Sequence, residues 1–318
     1  MQIKSELARG EIRNLYVLYG AERFLILHYA AEIEAACRAE KTVFGGGNAA
    51  EIIMAAESVG FSAEKRLIFV RDSGFFAAGR KDESEKMAEY FAKIPPDTTL
   101  VFTESEIDKR TKAFKAAAKW GATVECAPLN PADLAKWLGV IVKKKGKSFA
   151  SGAAQYFLRT CGSDMANLAN EAEKLIHFCG ERSEISAQDI DEICTPTLEA
   201  RIFDLTKAMG AGRTADALRL YNDMLFLKES PYMILTMMIR QLRIILLCKV
   251  QKETPRAQLA KELKIMEFVI PEALSHGKRF SEEQLIAALE KCLDTDVRMK
   301  TGLIAPEIGV EMLLLSIA

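Results

Sequence analysis

The strand signals of this chain end near residue 127, and this change of pattern limits its possible folds more than any other feature. Before that point, short runs of β-forming residues alternate with stretches of helical spacing and short loops. Such alternation predicts a parallel sheet covered by helices on both faces. The predicted strands are Leu15–Tyr19, Thr42–Phe44, Leu67–Arg71, Thr99–Thr103 and Thr123–Cys126, and the predicted helices lie near 22–38, 48–58, 82–93 and 109–120. Residues 1–129 are therefore predicted to form an α/β domain.

The remainder of the chain is predicted to be helical. Asn130 and Pro131 are a typical N-cap and first helical residue, and Ser186-x-x-Asp189 has the pattern of a capping box. A small helical domain is predicted over residues 130–198, with a linker at "CTPTLEA". Residues 199–318 follow as a second helical domain, so the whole chain is α/β plus all-α.

One helix of the last domain is unusually apolar: "PYMILTMMIRQLRIILLCKV", at residues 231–250. It is long enough to cross a bilayer, but Arg240, Gln241 and Arg243 interrupt it. We therefore expect a buried bundle helix and no membrane segment. A helical domain this apolar suggests a packing or oligomerisation module.

Composition excludes several classes of protein. Hydrophobic residues make up 49% of the 318 residues and charged residues 27%, which is ordinary for a globular protein. The formal net charge of −1 provides no overall attraction to nucleic acid. The charged N-terminus lacks the apolar region of a secretory signal, so a cytoplasmic protein is expected. Seven widely spaced cysteines, with no C-x-x-C pair, predict reduced, packed thiols and no metal site.

The segment "LYVLYGAERF" occupies the place of a phosphate-binding loop, because a buried strand leads through one glycine into a helix. A phosphate cradle needs several glycines, a Lys and a Ser or Thr. Here Gly20 stands alone, and the carboxylate of Glu22 lies where phosphate would bind. The segment therefore predicts the strand, turn and helix of a P-loop without the residues that bind phosphate. No nucleotide cofactor is expected.

Two further segments have both a chemical and a structural interpretation. Asp72 follows the third strand, where a Mg²⁺ ligand would lie, but it is followed by Ser and we interpret it as a turn residue. "FGGGN", at residues 44–48, is rich enough in glycine to hold a phosphate but has no Lys. A glycine loop that ends in the N-cap Asn48 is the better interpretation.

The segment "DKRTKAFKAAAKWG" carries Lys109, Arg110 and Lys112 in what we predict to be the first turns of a helix capped by Asp108. The helix dipole disfavours cations there. Either these three side chains form a solvated face, or they contact phosphate or a partner.

An apolar loop precedes the third strand. In "ESVGFSAEKRLIFV", Val59 and Phe61 flank Gly60, and charged residues follow. Loops usually present polar side chains. The side chain of Phe61 is therefore either packed on its own domain or exposed for contact with a partner.

Taken together, several segments resemble one family, the delta subunit of the bacterial DNA polymerase III clamp loader. "LYGAERFL" is similar to its opening L-Y-G-x-E-x-x-L, and "EKRLIFVRD" to its third strand. "LVFTESEIDKRTKAFKA" resembles its fourth strand and basic helix, and "GSDMANLANEAEKL" its G-x-D-L-x-x-L-x-N-E-x-E-K-L segment. "IFDLTKAMGAGRTADAL" and "MIRQLRIILLCKV" resemble its C-terminal domain. The order of these segments extends nearly end to end.

The resemblance implies a degenerate AAA+-type domain without an ATP site, a helical lid and a C-terminal helical collar. It implies a non-catalytic subunit that belongs, by association, to a DNA-directed DNA polymerase, a nucleotidyltransferase. The function that the resemblance implies for this subunit is to bind the beta sliding clamp and open it for loading onto primed DNA during replication. The implied partners are the clamp, the gamma/tau and delta-prime subunits, and primed DNA within the assembled complex.

The family grips the clamp with an apolar pair just before the third strand. Phe61 matches the aromatic of that pair, Gly60 replaces its neighbour, and Val59 is the nearest apolar substitute. The alternatives are another AAA+-related clamp-loader subunit, a nucleotide-binding ATPase, or a free-standing DNA-binding protein. The missing Lys disfavours an ATPase, and the near-zero charge disfavours independent DNA binding.

Overall fold

A computed structural model describes residues 6–7, 9–58, 65–263, 265, 267 and 269–317. The chain divides into two compact units, Met1–Pro128 and Leu129–Ala318. The first unit ends one residue before the predicted boundary. It holds a parallel sheet with helices, and the second unit is almost entirely helical, which confirms the predicted fold class. The further division of the second unit at residue 198 stays a prediction.

Five parallel strands form the sheet of the first unit: β1 (Leu15–Tyr19), β2 (Glu40–Gly45), β3 (Arg66–Arg71), β4 (Thr98–Glu104) and β5 (Ala122–Glu125). Their order across the sheet is β2–β3–β4–β1–β5. The connections that leave the neighbouring strands β1 and β4 therefore run in opposite directions. Open parallel sheets bind ligands at the carboxyl ends of such strands, so a ligand site is expected where β1 and β4 end.

Helices cover both faces of this sheet: α1 (Arg23–Cys37), α2 (Ala49–Glu57), α3 (Lys81–Tyr90) and α4 (Lys112–Trp120). All five residues of β1 are buried, although successive side chains of a strand point to opposite faces. Leu15 and Val17 belong to a core that includes Ile52 of α2 and Met87 of α3. The helix α1 packs against β1 and β4 and buries Tyr29 and Ile33.

The second unit begins with α5 (Pro131–Lys144), α6 (Ala153–Cys161), α7 (Met165–Phe178) and α8 (Ala187–Ile193). It continues with α9 (Leu198–Gly210), α10 (Thr214–Phe226), α11 (Pro231–Val250), α12 (Arg256–Leu263), α13 (Val269–Gly277), α14 (Glu282–Lys300) and α15 (Pro306–Ile317). The prediction that strands end after the first domain is wrong in one detail. Two short strands, β6 (Ser148–Phe149) and β7 (Glu184–Ile185), pair in parallel. A two-residue strand is too short to show a period in sequence.

The predicted helix starts of this unit are confirmed. The side chain of Asn130 accepts a hydrogen bond from the backbone N–H of Asp133, ahead of Pro131 at the start of α5. Ser186 and Asp189 form a reciprocal capping box at α8. Both patterns are local, since the groups that satisfy each other lie three residues apart.

One side of the apolar helix α11 is buried inside its own unit, as predicted, whereas Tyr232, Met233 and Val250 are exposed. Leu235, Met238, Leu242 and Ile245 have no exposed surface and lie in one core with residues of α9, α10, α14 and α15. Within the described part of the chain, no helix combines the length and the hydropathy that a membrane crossing requires.

Candidate functional site

The turn after β1 lies where open parallel sheets bind ligands, but two of its backbone N–H groups already donate within the protein. The N–H of Gly20 donates to the carbonyl of Glu104 (3.3 Å), and the N–H of Glu22 donates to the carbonyl of Cys126 (2.9 Å). Gly20 has a φ of +129°, and a Cβ there would lie 2.4 Å from the Cys126 oxygen. This glycine is therefore required by the close approach of the chain after β5, and needs no phosphate to explain it.

A carboxylate of the protein occupies the start of α1. The side chain of Glu22 accepts a hydrogen bond from the backbone N–H of Phe24 (3.1 Å) and so acts as the N-cap. A helix N-terminus favours a negative charge, which is why phosphates bind there in nucleotide-binding folds. Glu22 supplies that charge internally, so an incoming phosphate would meet repulsion in place of attraction.

Asp72 is a turn residue, as the sequence indicates. Its φ is +46°, in the left-handed region that Asp tolerates better than most residues. Its N–H donates to the carbonyl of Thr103 (2.8 Å), and its carboxylate accepts from the N–H and the hydroxyl of Ser105 (both 3.2 Å). The side chain therefore ties the chain after β3 to the chain after β4.

Glu104 is a buried acid at this edge of the sheet that the sequence reasoning missed. The residue is 3% exposed, and its carboxylate accepts from the N–H of Ser73 (3.0 Å), the Ser73 hydroxyl (2.5 Å) and the N–H of Gly74 (3.4 Å). Burial raises the pKa of Glu104 despite these bonds. The apolar strand "LVFTE" carries no signal that its last residue points inward.

The glycine loop before α2 is a helix cap, as predicted. The side chain of Asn48 accepts from the N–H of Glu51 (2.9 Å), and the carboxylate of Glu83 accepts from the N–H of Ala49 (2.5 Å). That bond is the main reason that the pKa of Glu83 is lowered. Arg80 donates to the carbonyl of Gly47 (3.0 Å). Two side chains thus already satisfy donors at the start of α2, where a phosphate would bind.

The basic segment differs from its prediction in where the helix begins. Thr111 is the N-cap and α4 starts at Lys112, so Lys109 and Arg110 precede the helix, and the predicted cap Asp108 does not cap it. The hydroxyl of Thr111 accepts a hydrogen bond from the N–H of Phe114 (3.3 Å). The carboxylate of Asp108 instead accepts from the guanidinium of Arg110. The expected conflict between these two cations and the helix dipole is therefore absent.

Each of the three predicted contact cations has an acidic neighbour: Lys109 pairs with Glu125 (2.8 Å), Arg110 with Asp108 (2.8 Å) and Lys112 with Glu85 (3.0 Å). Arg110 lowers the pKa of Asp108 to about 2, and Lys109 lowers the pKa of Glu125. All three cations are more than half exposed. Ion pairs this exposed to solvent are weak, so they do not prevent these cations from binding a partner.

Val59, Gly60 and Phe61 lie outside the described residues, but the helix that leads into them is described. α2 ends at Glu57, and the chain leaves the helix in extended conformation at Ser58. Met54, on this helix, is 70% exposed. Ala50, Ile53 and Met54 line a shallow groove of about 550 Å³ with Lys86. The sequence reasoning missed this apolar surface, which the pair Ile53–Met54 in a helix could have indicated.

The second unit carries further exposed apolar side chains on its last two helices. On α14 these are Ile286, Leu293 and Val297, and on α15 they are Ile308, Met312 and Leu315. Spacings of three, four and seven residues place each set on one face of its helix. The sequence identifies α11 as the most apolar helix of this domain, but most of its apolar residues lie in or against the core of its own unit, and α14 and α15 add these exposed apolar side chains.

Comparisons with known proteins identify the relatives of this chain. The family model for "DNA polymerase III, delta subunit" matches residues 16–127, and that for the "DNA polymerase III delta subunit, C-terminal domain" matches residues 199–317. The chain is 26% identical over 328 aligned positions to DNA polymerase III subunit delta of Bacillus subtilis, covering 98% of this chain and 94% of the relative. A probable DNA polymerase III subunit delta of Aquifex aeolicus is 20% identical over 57% of this chain and 54% of its own.

A solved structure agrees with these sequence matches. The Bacillus subtilis DNA clamp loader delta protein aligns with a TM-score of 0.69 and 26% identity, over 99% of this chain and 98% of that structure. The likeness covers both compact units.

Proposed function

Since the chain belongs to the DNA polymerase III delta-subunit family and is a clamp-loader subunit of that polymerase, we propose that it binds the ring-shaped sliding clamp through the segment that joins α2 to β3. In this role it holds one interface of the ring open while the ring is placed on primed DNA. The observation that carries the proposal is the exposed apolar end of α2, which leads directly into Val59, Gly60 and Phe61.

The burial pattern of α2 supports this surface. The helix buries Ala49, Ile52 and Ala56 against its own unit and leaves Met54 on the opposite side. A thioether is a flexible, polarisable group that suits a binding surface. A binding site of this kind needs a central aromatic anchor surrounded by weaker apolar contacts. Phe61 is proposed as the anchor, with Val59 and Met54 beside it.

We further propose that the chain has no catalytic activity of its own. The hydrogen bonds of Gly20 and the capping carboxylate of Glu22 support this, because they use the groups that a nucleotide phosphate would need. Nucleotide is then bound by neighbouring subunits of the assembly. An independent ATPase would have to place a phosphate against Glu22.

The remaining partners are proposed from two of the exposed surfaces of the described residues. The apolar faces of α14 and α15 are proposed to contact the gamma/tau and delta-prime subunits, as the collar of the assembly. Lys109, Arg110 and Lys112 are proposed to contact DNA or a partner within the assembled complex. A chain with a net charge of −1 would not hold DNA by itself. We also propose a cytoplasmic location, because a clamp-loader subunit acts on chromosomal DNA.

The clamp surface is tested with three alanine variants of the full chain: Phe61→Ala, Met54→Ala and, as a matched control, Leu27→Ala. Leu27 is a half-exposed apolar residue on α1 of the same unit. Binding to the sliding clamp of the same organism is measured by surface plasmon resonance, and folding by the urea midpoint. We expect Phe61→Ala to weaken binding about 30- to 1,000-fold, the effect of losing roughly 2 to 4 kcal/mol at a hot spot.

Met54→Ala is expected to weaken binding about tenfold, equivalent to about 1.4 kcal/mol, and Leu27→Ala to leave it unchanged. None of the three should shift the urea midpoint much. A Phe61→Ala protein that binds the clamp normally but unfolds at lower urea would show that Phe61 packs in its own domain. The clamp surface would then have to be sought elsewhere.

A further inference from the structure

Three buried side chains from three helices meet in the second unit: Cys161, Glu171 and Cys194. Cys161 is the last residue of α6, Glu171 lies within α7, and Cys194 is the C-cap of α8. Their exposed fractions are 0%, 6% and 6%. The two sulfur atoms and a carboxylate oxygen all lie within 4.8 Å of one another. No spacing rule finds this group, because 10 and 23 residues separate its members in sequence.

The atoms and distances suit a small, thiophilic cation. Zinc takes thiolate sulfur at about 2.3 Å and carboxylate oxygen at about 2.0 to 2.2 Å, in tetrahedral geometry. Two sulfur ligands of one zinc ion therefore lie about 3.8 Å apart. Sulfur and oxygen atoms that already lie within 4.8 Å of one another need to move by only about 1 Å to reach those distances.

The charges around the group support the same cation. Two thiolates and one carboxylate with a divalent ion sum to one negative charge. The ammonium of Lys174 lies 2.7 Å from the carboxylate of Glu171 and balances that charge. The N–H of Thr195 also donates to Glu171 (3.3 Å), so the carboxylate is held by an outer partner in the way that metal ligands usually are.

A cavity next to the cluster offers room for a fourth ligand. Cys161 and Thr195 line a cavity of about 840 Å³ within the second unit, together with polar residues that include Ser163 and Asn167. A cavity of this size holds water. Cys161 therefore lies in the wall of this cavity, although all three side chains of the cluster are buried.

We propose that Cys161, Glu171 and Cys194 bind one zinc ion, with a water from the cavity as the fourth ligand. Both thiols lose their protons to solvent as two Zn–S bonds form, and no electrons are transferred. The ion links the ends of α6 and α8 to the middle of α7, just before the chain enters α9 at Leu198. This site is structural and independent of clamp binding, which is assigned to the other unit.

The test uses the full chain, purified and treated with a chelator in the presence of a phosphine reductant. Co²⁺ serves as the probe, because tetrahedral Co²⁺ bound to thiolate shows sulfur-to-metal charge-transfer absorption and visible bands that Zn²⁺ lacks. We expect these bands to saturate at one Co²⁺ per chain and to disappear when Zn²⁺ is added. The bound metal should also raise the thermal unfolding temperature of the second unit.

Two ligand variants and one matched control assign the bands to the cluster. Glu171→Gln and Cys194→Ser should weaken Co²⁺ binding at least about tenfold, the loss caused by removing even an outer partner of a metal ligand. Cys179→Ser removes another buried thiol of the same helical region, at the C-cap of α7, and should bind as the wild type does. Far-ultraviolet circular dichroism confirms that each variant is folded.

Three results would overturn the proposal. Reduced protein that develops no charge-transfer band with Co²⁺ has no thiolate site. Bands that persist unchanged in Cys194→Ser would place the metal elsewhere. If anaerobically purified protein contains a Cys161–Cys194 disulfide and no zinc, the two thiols are a redox pair and the metal site is refuted.

Discussion

The carboxylate of Glu104, at the end of β4, accepts hydrogen bonds from both the N–H (3.0 Å) and the hydroxyl of Ser73, in the turn after β3. The two residues lie 31 positions apart in sequence and join the ends of two neighbouring strands at the edge where a nucleotide-binding fold places its chemistry. In this chain the buried carboxylate of Glu104 holds the turn after β3 in place. Its hydrogen bonds are made to groups of the protein.

The buried position of Glu104 predicts a specific pH dependence. Its folded pKa is raised, so the folded state favours the protonated acid more than the unfolded state does. Relative to Glu104→Gln, which does not titrate, the wild type should therefore gain stability as the pH falls from 7. The gain should end near the unfolded pKa of about 4.3. Urea unfolding of both proteins from pH 7 to pH 5 measures it, and a pH-independent difference would contradict the assignment.

A side chain at position 20 is expected to destabilise the turn after β1 by a steric clash. Gly20→Ala would place a Cβ 2.4 Å from the carbonyl oxygen of Cys126 and keep a φ of +129°, so we expect a loss of about 2 to 4 kcal/mol. Gly45→Ala is the matched control, because a Cβ there meets nothing within 4 Å. It should change stability by less than about 1 kcal/mol. Equal losses for the two variants, measured by urea unfolding, would show that the close approach is not the cause.

Nucleotide binding tests the capping role of Glu22. The wild type should show no saturable binding of a fluorescent ATP analogue with Mg²⁺ at micromolar concentrations. Glu22→Ala should also bind none, because it removes the repulsion without supplying a Lys. This variant should lose about 0.5 to 2 kcal/mol of stability through the missing cap. Saturable, Mg²⁺-dependent binding by the wild type would revive the ATPase alternative.

The exposed faces of α14 and α15 predict where the partner subunits dock. Leu293→Glu and Ile308→Glu should leave folding intact, since both side chains are exposed, and should prevent assembly with the gamma/tau and delta-prime subunits. Val140→Glu, a similarly exposed residue on α5, is the control. Gel filtration of the mixed subunits measures assembly. Full assembly of both collar variants would place the contact on another surface.

The helix starts could be predicted because their interactions are local. Asn48 and Ser186 cap helices whose N–H groups lie three residues away, so a short window of sequence contains both partners. The start of α4 was predicted wrongly because Asp108 and Thr111 are both good caps. Only the backbone geometry selects Thr111, and Asp108 pairs with Arg110.

The sequence by itself determined the class of fold and the loss of the phosphate cradle. Both depend on short-range facts: periodicity, turn residues, and the lack of a Lys beside Gly20. Only the tertiary structure decided that Glu104 meets Ser73, that Cys161 and Cys194 lie beside Glu171, and which apolar side chains of α11, α14 and α15 are buried. These contacts join residues 10 to about 85 positions apart. Parallel strands and packed helices bring such residues together, and no local pattern records which buried side chains will then face each other.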